Sequence, residues 1–275
     1  MTSQPILRVS GLRKVFKVRA GDSRQTEDLV AVDDVSFDLP SSGSLGIVGE
    51  SGSGKTTVAR IIARLERATA GTVAIAGAEL SAQRPHGRGR RAQGRQVQMV
   101  FQDPYSSLDP RQTVRACLEE VLRLHTAGAK TARRARALEL LHQVGLDERH
   151  QGLRPRSLSG GQRQRVAIAR ALACDPQVLI LDEAVSALDV SVQGQILNLL
   201  ADLRAQLGVA YLFVSHDLAV VQQVTDQTVV MHRGRIVEAG PTDAILRSLA
   251  NAYTQQLLAA VPRPGWQPAR RAPQH

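Results

Sequence analysis

The sequence predicts an α/β protein built on an open parallel sheet, and three apolar runs carry that prediction. Leu45-Gly46-Ile47-Val48, Val178-Leu179-Ile180-Leu181 and Tyr211-Leu212-Phe213-Val214 are short and continuous, as parallel strands buried on both faces are. Each run ends in residues that carry chemistry. Gly49-Glu50 follow the first, Asp182-Glu183 the second and Ser215-His216-Asp217 the third. The carboxyl ends of such strands are where open α/β sheets bind ligands.

Taken in chain order, residues 1–40 show β patterns at Ile6–Val9, Leu12–Phe16 and the alternating Val30–Leu39. The first apolar run then leads into Gly49-Glu50-Ser51-Gly52-Ser53-Gly54-Lys55-Thr56-Thr57. Gly49, Gly52 and Gly54 allow a tight turn whose N–H groups point inward, forming a nest for phosphate oxygens at a helix N-terminus. Lys55 is placed to reach the β- and γ-phosphates of ATP, and the Thr56 hydroxyl to ligate Mg²⁺. A helix from Lys55 to about Glu66 follows, with Val58, Ile61, Ile62 and Leu65 at helical spacing. Strand before and helix after is the context that makes this motif specific.

Thr72–Ile75 reads as another strand, and Gln96–Phe101 alternates towards Gln102. Helical patterns cover Val114–Leu124 and Thr131–Val144. Leu158-Ser159-Gly160-Gly161-Gln162 then precedes a helix running to about Cys174. Ser159 is a good N-cap, and the paired glycines permit close backbone approach. The N-terminal dipole of that helix suits an anion. After the second run, Asp182 fits the acid that anchors a metal through its water shell, and Glu183 the general base that orients water. Ile196–Leu207 is helical in pattern. Val229–Met231 and Arg235–Ala239 form a hairpin around Arg233-Gly234, and Thr242 is placed to cap a short helix to Leu249. The prolines of Pro262–Pro273 have the spacing of a disordered tail.

Composition bounds the function classes. The chain has 275 residues, enough for a substantial core. Cys117 and Cys174 form neither a metal spacing nor a disulfide framework, which suits a reducing compartment. No secretory segment opens the chain, and no apolar run approaches the ~20 residues of a membrane span. The net charge of +10 invites a nucleic-acid reading, with arginines clustered between Arg84 and Arg95. Aromatic residues make up only 3% and none interleaves the cluster, so base stacking has no platform. A solvated loop, or one facing anionic headgroups, is the better expectation. His86, His125, His142, His150, His232 and His275 are read as ordinary structural or solvated histidines.

A phosphate loop followed by LSGGQ resembles the ATP-binding-cassette family, over roughly residues 5–262. That resemblance implies a P-loop NTPase core with an antiparallel β subdomain, built from the early strands, and a helical subdomain at about 104–170. It also implies two subunits facing head to tail, so that Ser159, Gly160, Gly161 and Gln162 of one close over ATP held by the other. Gln102 resembles the glutamine that touches Mg²⁺ and attacking water. His216 resembles the histidine that contacts the γ-phosphate, and Ser186–Asp189 the loop that crosses to the partner. Phe16 lies where the family stacks an aromatic on adenine. Residues 1–248 would form the nucleotide-binding domain and 249–275 an extension with a flexible tail.

Phe101–Arg111 and Asn251–Leu258 further resemble ATPases of the oligopeptide, dipeptide and nickel importer branch. Asn251-Ala252 stand where that branch has His-Pro, and Ala184 replaces a proline. The implied partners are a second, non-identical ATPase subunit, two transmembrane permeases and an extracytoplasmic binding protein, with no nucleic acid. The implied location is peripheral, on the cytoplasmic face of the inner membrane. The implied cargo is short peptides, with nickel or glutathione as alternatives. A chromosome-maintenance or repair ATPase also pairs the two motifs. It would insert a long coiled coil or zinc cysteines between them, and neither is present.

Overall fold

The structure, a computed structural model, describes residues 4–19, 26–80, 92, 94–103, 107–126, 128–248 and 251–259. Most of the basic cluster from Arg84, the Pro104–Ser106 stretch and the tail from residue 260 lie outside the described residues. Six strands form one sheet in the order β10-β9-β3-β8-β7-β6. They are β3 (Ser44–Val48), β6 (Val97–Val100), β7 (Val178–Asp182), β8 (Ala210–Ser215), β9 (Gln227–His232) and β10 (Arg235–Pro241). The five from β9 to β6 pair in parallel, and β10 closes one edge antiparallel to β9.

Two-sided burial explains the unbroken apolar runs. Leu45 and Ile47 of β3, Val178 and Ile180 of β7, and Leu212 and Val214 of β8 pack into one core. Val48, Leu179, Leu181, Tyr211 and Phe213 point the other way into a second. The first core is covered by helix α1 (Lys55–Ile62) and an antiparallel sheet, β2-β1-β4-β5. That sheet comprises β1 (Leu7–Arg19), β2 (Thr26–Leu39), β4 (Ala70–Ile75) and the short β5 (Ala78–Glu79). The second core is covered by α2 (Val114–His125), α3 (Lys130–Gln143), α4 (Gly160–Leu172), α5 (Val190–Leu207) and α6 (Leu218–Val224). Two short helices, α7 (Thr242–Ser248) and α8 (Ala252–Ala259), follow β10.

Several details differ from the sequence reading, and four of them have a local reason. The expected strands Ile6–Val9 and Leu12–Phe16 are one strand, broken in register where Gly11 takes φ 56. Helix α1 stops at Ile62 rather than Glu66, because Arg64 turns left-handed at φ 60 and the Leu65 and Glu66 N–H groups fold back onto Arg60 O. Leu65 is left 52% exposed. Helix α5 begins at Val190 rather than near Ile196; its first turn is largely solvated and carries no apolar stripe. Thr242 opens α7, but its buried hydroxyl bonds to those of Thr225 and Thr228.

Candidate nucleotide-binding site

Strand register brings the three chemically marked strand ends together. Val48 pairs with Ser215 and Asp182 with Val214, so the loop after β3, the acids of β7 and the histidine after β8 share one end of the sheet. Gly49 adopts φ 152 and Gly54 φ 101. A Cβ at Gly49 would stand 2.2 Å from Met231 O, and one at Gly54 2.4 Å from Ala31 O. Both positions are pressed against backbone, so neither tolerates a side chain.

Within this loop the Lys55 ammonium donates to Gly49 O and Glu50 O, both at 2.7 Å. Burial pushes the Lys55 pKa down, against the pull of Glu183, Asp182 and Glu50. Thr56 Oγ1 donates to Asp182 Oδ1 at 3.2 Å. Hydroxyl and carboxylate oxygens are the hard ligands that Mg²⁺ takes. Gly52, at φ 80, has nothing within 4 Å of where a side chain would begin, so the crest of the loop is open to an incoming phosphate. The residues present therefore fit Mg–ATP.

Glu183 sits at φ 48, a left-handed conformation that is uncommon for a glutamate. Its N–H donates to Val214 O at 2.8 Å, which ties the strained residue to β8. Strain of this kind collects at functional positions. The Glu183 carboxylate lies 3.2 Å from His216 Nδ1, with His216 itself exposed. A cavity of about 300 Å³ is lined by Lys55, Thr56 and Thr57 with Ser51, Gly52 and Gly54, and also by Glu183 and Phe16. Phe16 thus joins the phosphate loop, with the Lys14 ammonium 4.6 Å from its ring centroid. Gln102 is exposed just beyond β6, whose Val100 pairs with Leu181.

The signature residues form a second surface. Ser159 caps α4 in a reciprocal box: Gln162 N–H donates to Ser159 Oγ at 3.2 Å and Ser159 N–H to Gln162 Oε1 at 2.9 Å. Leu188 packs at Gly160, and a Cβ on Gly161 would stand 2.6 Å from Val192 Cγ1. The segment bearing Asp189, which occupies the N-cap position of α5, therefore lies against the start of α4. Val190 beside it is 85% exposed. Among the described residues lining the phosphate-loop cavity, none comes from Ser159–Gln162.

Sequence reasoning missed His150, which is buried behind this surface. Its Nδ1 lies 2.8 Å from Asp147 Oδ1 and its Nε2 3.2 Å from Gln162 Nε2. The Asp147 N–H also donates to His150 Nδ1 at 3.2 Å, closing a capping box that holds the ring beside the Gln162 amide. The Asp147-to-His150 spacing of a capping box was the one local signal available.

Asp182 yields a prediction. It is 5% exposed, and burial pushes its carboxyl above the ordinary range while the Thr56 bond opposes. A raised folded-state value means that the charged form costs stability. The cost is absent below the unfolded value of about 3.9 and is fully present once pH has risen through the folded value. Asp182→Asn removes that charge and keeps an acceptor for Thr56. Thermal unfolding at neutral pH is expected to shift upward by a few degrees, at about 2–4 °C per kcal/mol, while Mg²⁺-dependent nucleotide binding is lost. A lower midpoint in the variant would show that Asp182 serves the fold.

Known proteins resemble this chain at both levels. A profile of the ABC transporter family matches residues 32–186. The "Glutathione import ATP-binding protein GsiA" of Salmonella paratyphi A is 48% identical over 261 residues, covering 94% of this chain and 41% of that protein. Its counterpart in Escherichia coli K12 is 47% identical over 273 residues, covering 98% and 43%. The chain thus spans about two-fifths of the length of these relatives. Among solved structures, the dimeric ATP-binding cassette MJ0796 superposes with a TM-score of 0.74 at 29% identity, covering 86% of this chain and 98% of that one. The cbiO1 component of a Clostridium perfringens ABC transporter shares the fold, with a TM-score of 0.75 at 23% identity over 93% and 98%. The profile match runs through more than half of the sequence, from β2 past the phosphate loop, the signature and Glu183, and on that ground this chain belongs to the ABC transporter family.

Proposed function

We propose that the chain is an ATP-hydrolysing subunit that energises an importer of the oligopeptide, dipeptide and nickel branch. One observation carries the reading. The phosphate loop with Thr56 and Glu183 lines one cavity, Asp182 bonds to that Thr56 and His216 to that Glu183, while the chain's own Ser159–Gln162 are absent from the lining. A site complete in its acids and cradle but lacking its signature is what a shared, head-to-tail arrangement requires. Ser159–Gln162 would then face nucleotide on a second subunit, with the Asp189 segment crossing beside them.

In this mechanism Lys55 exchanges its bonds to the Gly49 and Glu50 carbonyls for phosphate oxygens, and the loop N–H groups hold the remainder. Phe16 offers a face to the base. Glu183 takes the proton from the attacking water, and His216 fixes its carboxylate from the solvent side. Gln102 orients the same water. Mg²⁺, held by Thr56, Gln102 and Asp182, would neutralise charge on the phosphates.

The partners in this reading are a companion ATPase, two permeases and an extracytoplasmic binding protein, with no nucleic acid. Among the described residues no helix is long and apolar enough to cross a membrane. In this reading, attachment to the cytoplasmic face of the cell membrane runs through the permeases. Residues 1–248 serve as the nucleotide-binding domain, with the helical part near 104–170, and 249–275 as an extension. Similarity to the glutathione import proteins supports glutathione as a candidate among the short-peptide cargoes.

Deleting the gene is expected to abolish growth on glutathione as sole sulfur source and to slow growth on di- to pentapeptides supplying a required amino acid. Normal growth on all of these, with loss of a nickel-dependent urease or hydrogenase, would move the cargo to nickel. Loss of neither would contradict the importer assignment.

A further inference from the structure

Helix α8 returns the chain to the phosphate loop from a distance of 203 residues in sequence, where the Glu50 N–H donates to the Tyr253 hydroxyl at 3.1 Å. The Gly49–Glu50 peptide is consequently gripped at both ends. Its carbonyl accepts from the Lys55 ammonium and its N–H is taken by the tyrosine. These two grips differ in permanence. Phosphate oxygens compete for Lys55, so on nucleotide binding the lysine leaves the Gly49 and Glu50 carbonyls, and the tyrosine contact is the one that remains. We infer that Tyr253 is a positioning residue of the nucleotide site, holding the first peptide of the phosphate loop in its receptive orientation when Lys55 turns to the phosphates. This rests on the reading of Gly49–Thr57 as the nucleotide cradle.

Tyr253 is itself held firmly enough for the task. Its ring stacks on His232 with centroids 3.9 Å apart and planes 19° from parallel. His232 ends β9, the strand whose Met231 carbonyl lies close against Gly49. The Tyr253 N–H donates to Asn251 Oδ1 at 2.9 Å, and Asn251 Nδ2 donates to Val237 O at 3.3 Å. Asn251 therefore caps α8 and pins it to β10. Thr254, fully buried, donates to the Glu238 carboxylate. Two hydrogen bonds, from Asn251 and from Thr254, thus fix the helix to β10 on either side of the tyrosine that reaches the loop.

Tyr253→Phe in the full chain removes the hydroxyl and keeps the ring, its stacking and the helix anchors. The expected result is an unchanged melting temperature, about 2- to 10-fold weaker ATP binding and a matching rise in KM with kcat at saturating ATP preserved. Residue-resolved amide exchange should show the Glu50 N–H exchanging faster in the nucleotide-free variant, which a purely structural role for the ring would not produce. Tyr253→Ala should add a loss of stability from the broken stacking. Lys55→Ala serves as the control for the site itself. If it loses ATP while Tyr253→Phe keeps wild-type affinity, KM and Glu50 exchange, the positioning role is overturned and the nucleotide site stands. If Lys55→Ala binds ATP normally, the nucleotide reading falls and the inference with it.

Discussion

Glu183→Gln is expected to bind ATP with near-normal affinity and to hydrolyse it at least ~100-fold more slowly, the scale on which a positioned general base contributes. Glutamine has the same size and can still accept from His216 Nδ1, so the geometry around the left-handed residue is preserved and only the basicity is lost. With turnover blocked, bound ATP should hold two subunits together through the Ser159–Gln162 surface. Size-exclusion chromatography should then show an ATP-dependent shift that ADP does not produce. Single-turnover hydrolysis at near the wild-type rate would show that another group takes the proton.

Lys55→Ala carries the second large effect. The ammonium is buried beside the loop carbonyls, and its bonds to phosphate would be charge-assisted, each worth about 1.5–3 kcal/mol. Losing two such bonds corresponds to a weakening of at least ~100-fold in ATP affinity. The fold should survive, because burial already disfavours the charged lysine and one of its two partners is the part-buried carbonyl of the exposed Glu50. A calorimetric titration showing micromolar ATP affinity in the variant would mean that the loop does not hold the phosphates.

The parts of this fold that were legible in the sequence are those in which each residue reports its own burial. Val178–Leu181 and Tyr211–Val214 read as strands because both faces are packed, alternately, into two cores. The phosphate loop was legible because its glycines answer local demands, visible in the near-contacts of Gly49 and Gly54 with backbone oxygens. What escaped depends on pairings between distant segments or on turns with no apolar signature. The start of α5 was hidden because Val190 faces solvent and the stripe begins only at Ile196. His150 looked ordinary because its value lies in reaching Gln162 across a turn, a contact that no spacing rule encodes. Asn251, a departure from the His-Pro of the importer branch, proves a competent cap for α8. Tyr253 gave no local hint of Glu50.

The shared site is tested most directly by the specific ATPase activity of the purified chain across a dilution series, alone and with its companion subunit. In the proposed arrangement each subunit would supply the phosphate loop, Glu183 and His216 to one nucleotide and Ser159–Gln162 to another. Activity per chain should therefore be low where subunits are apart and rise steeply as they pair. The same specific activity at concentrations where no pairs persist would contradict it.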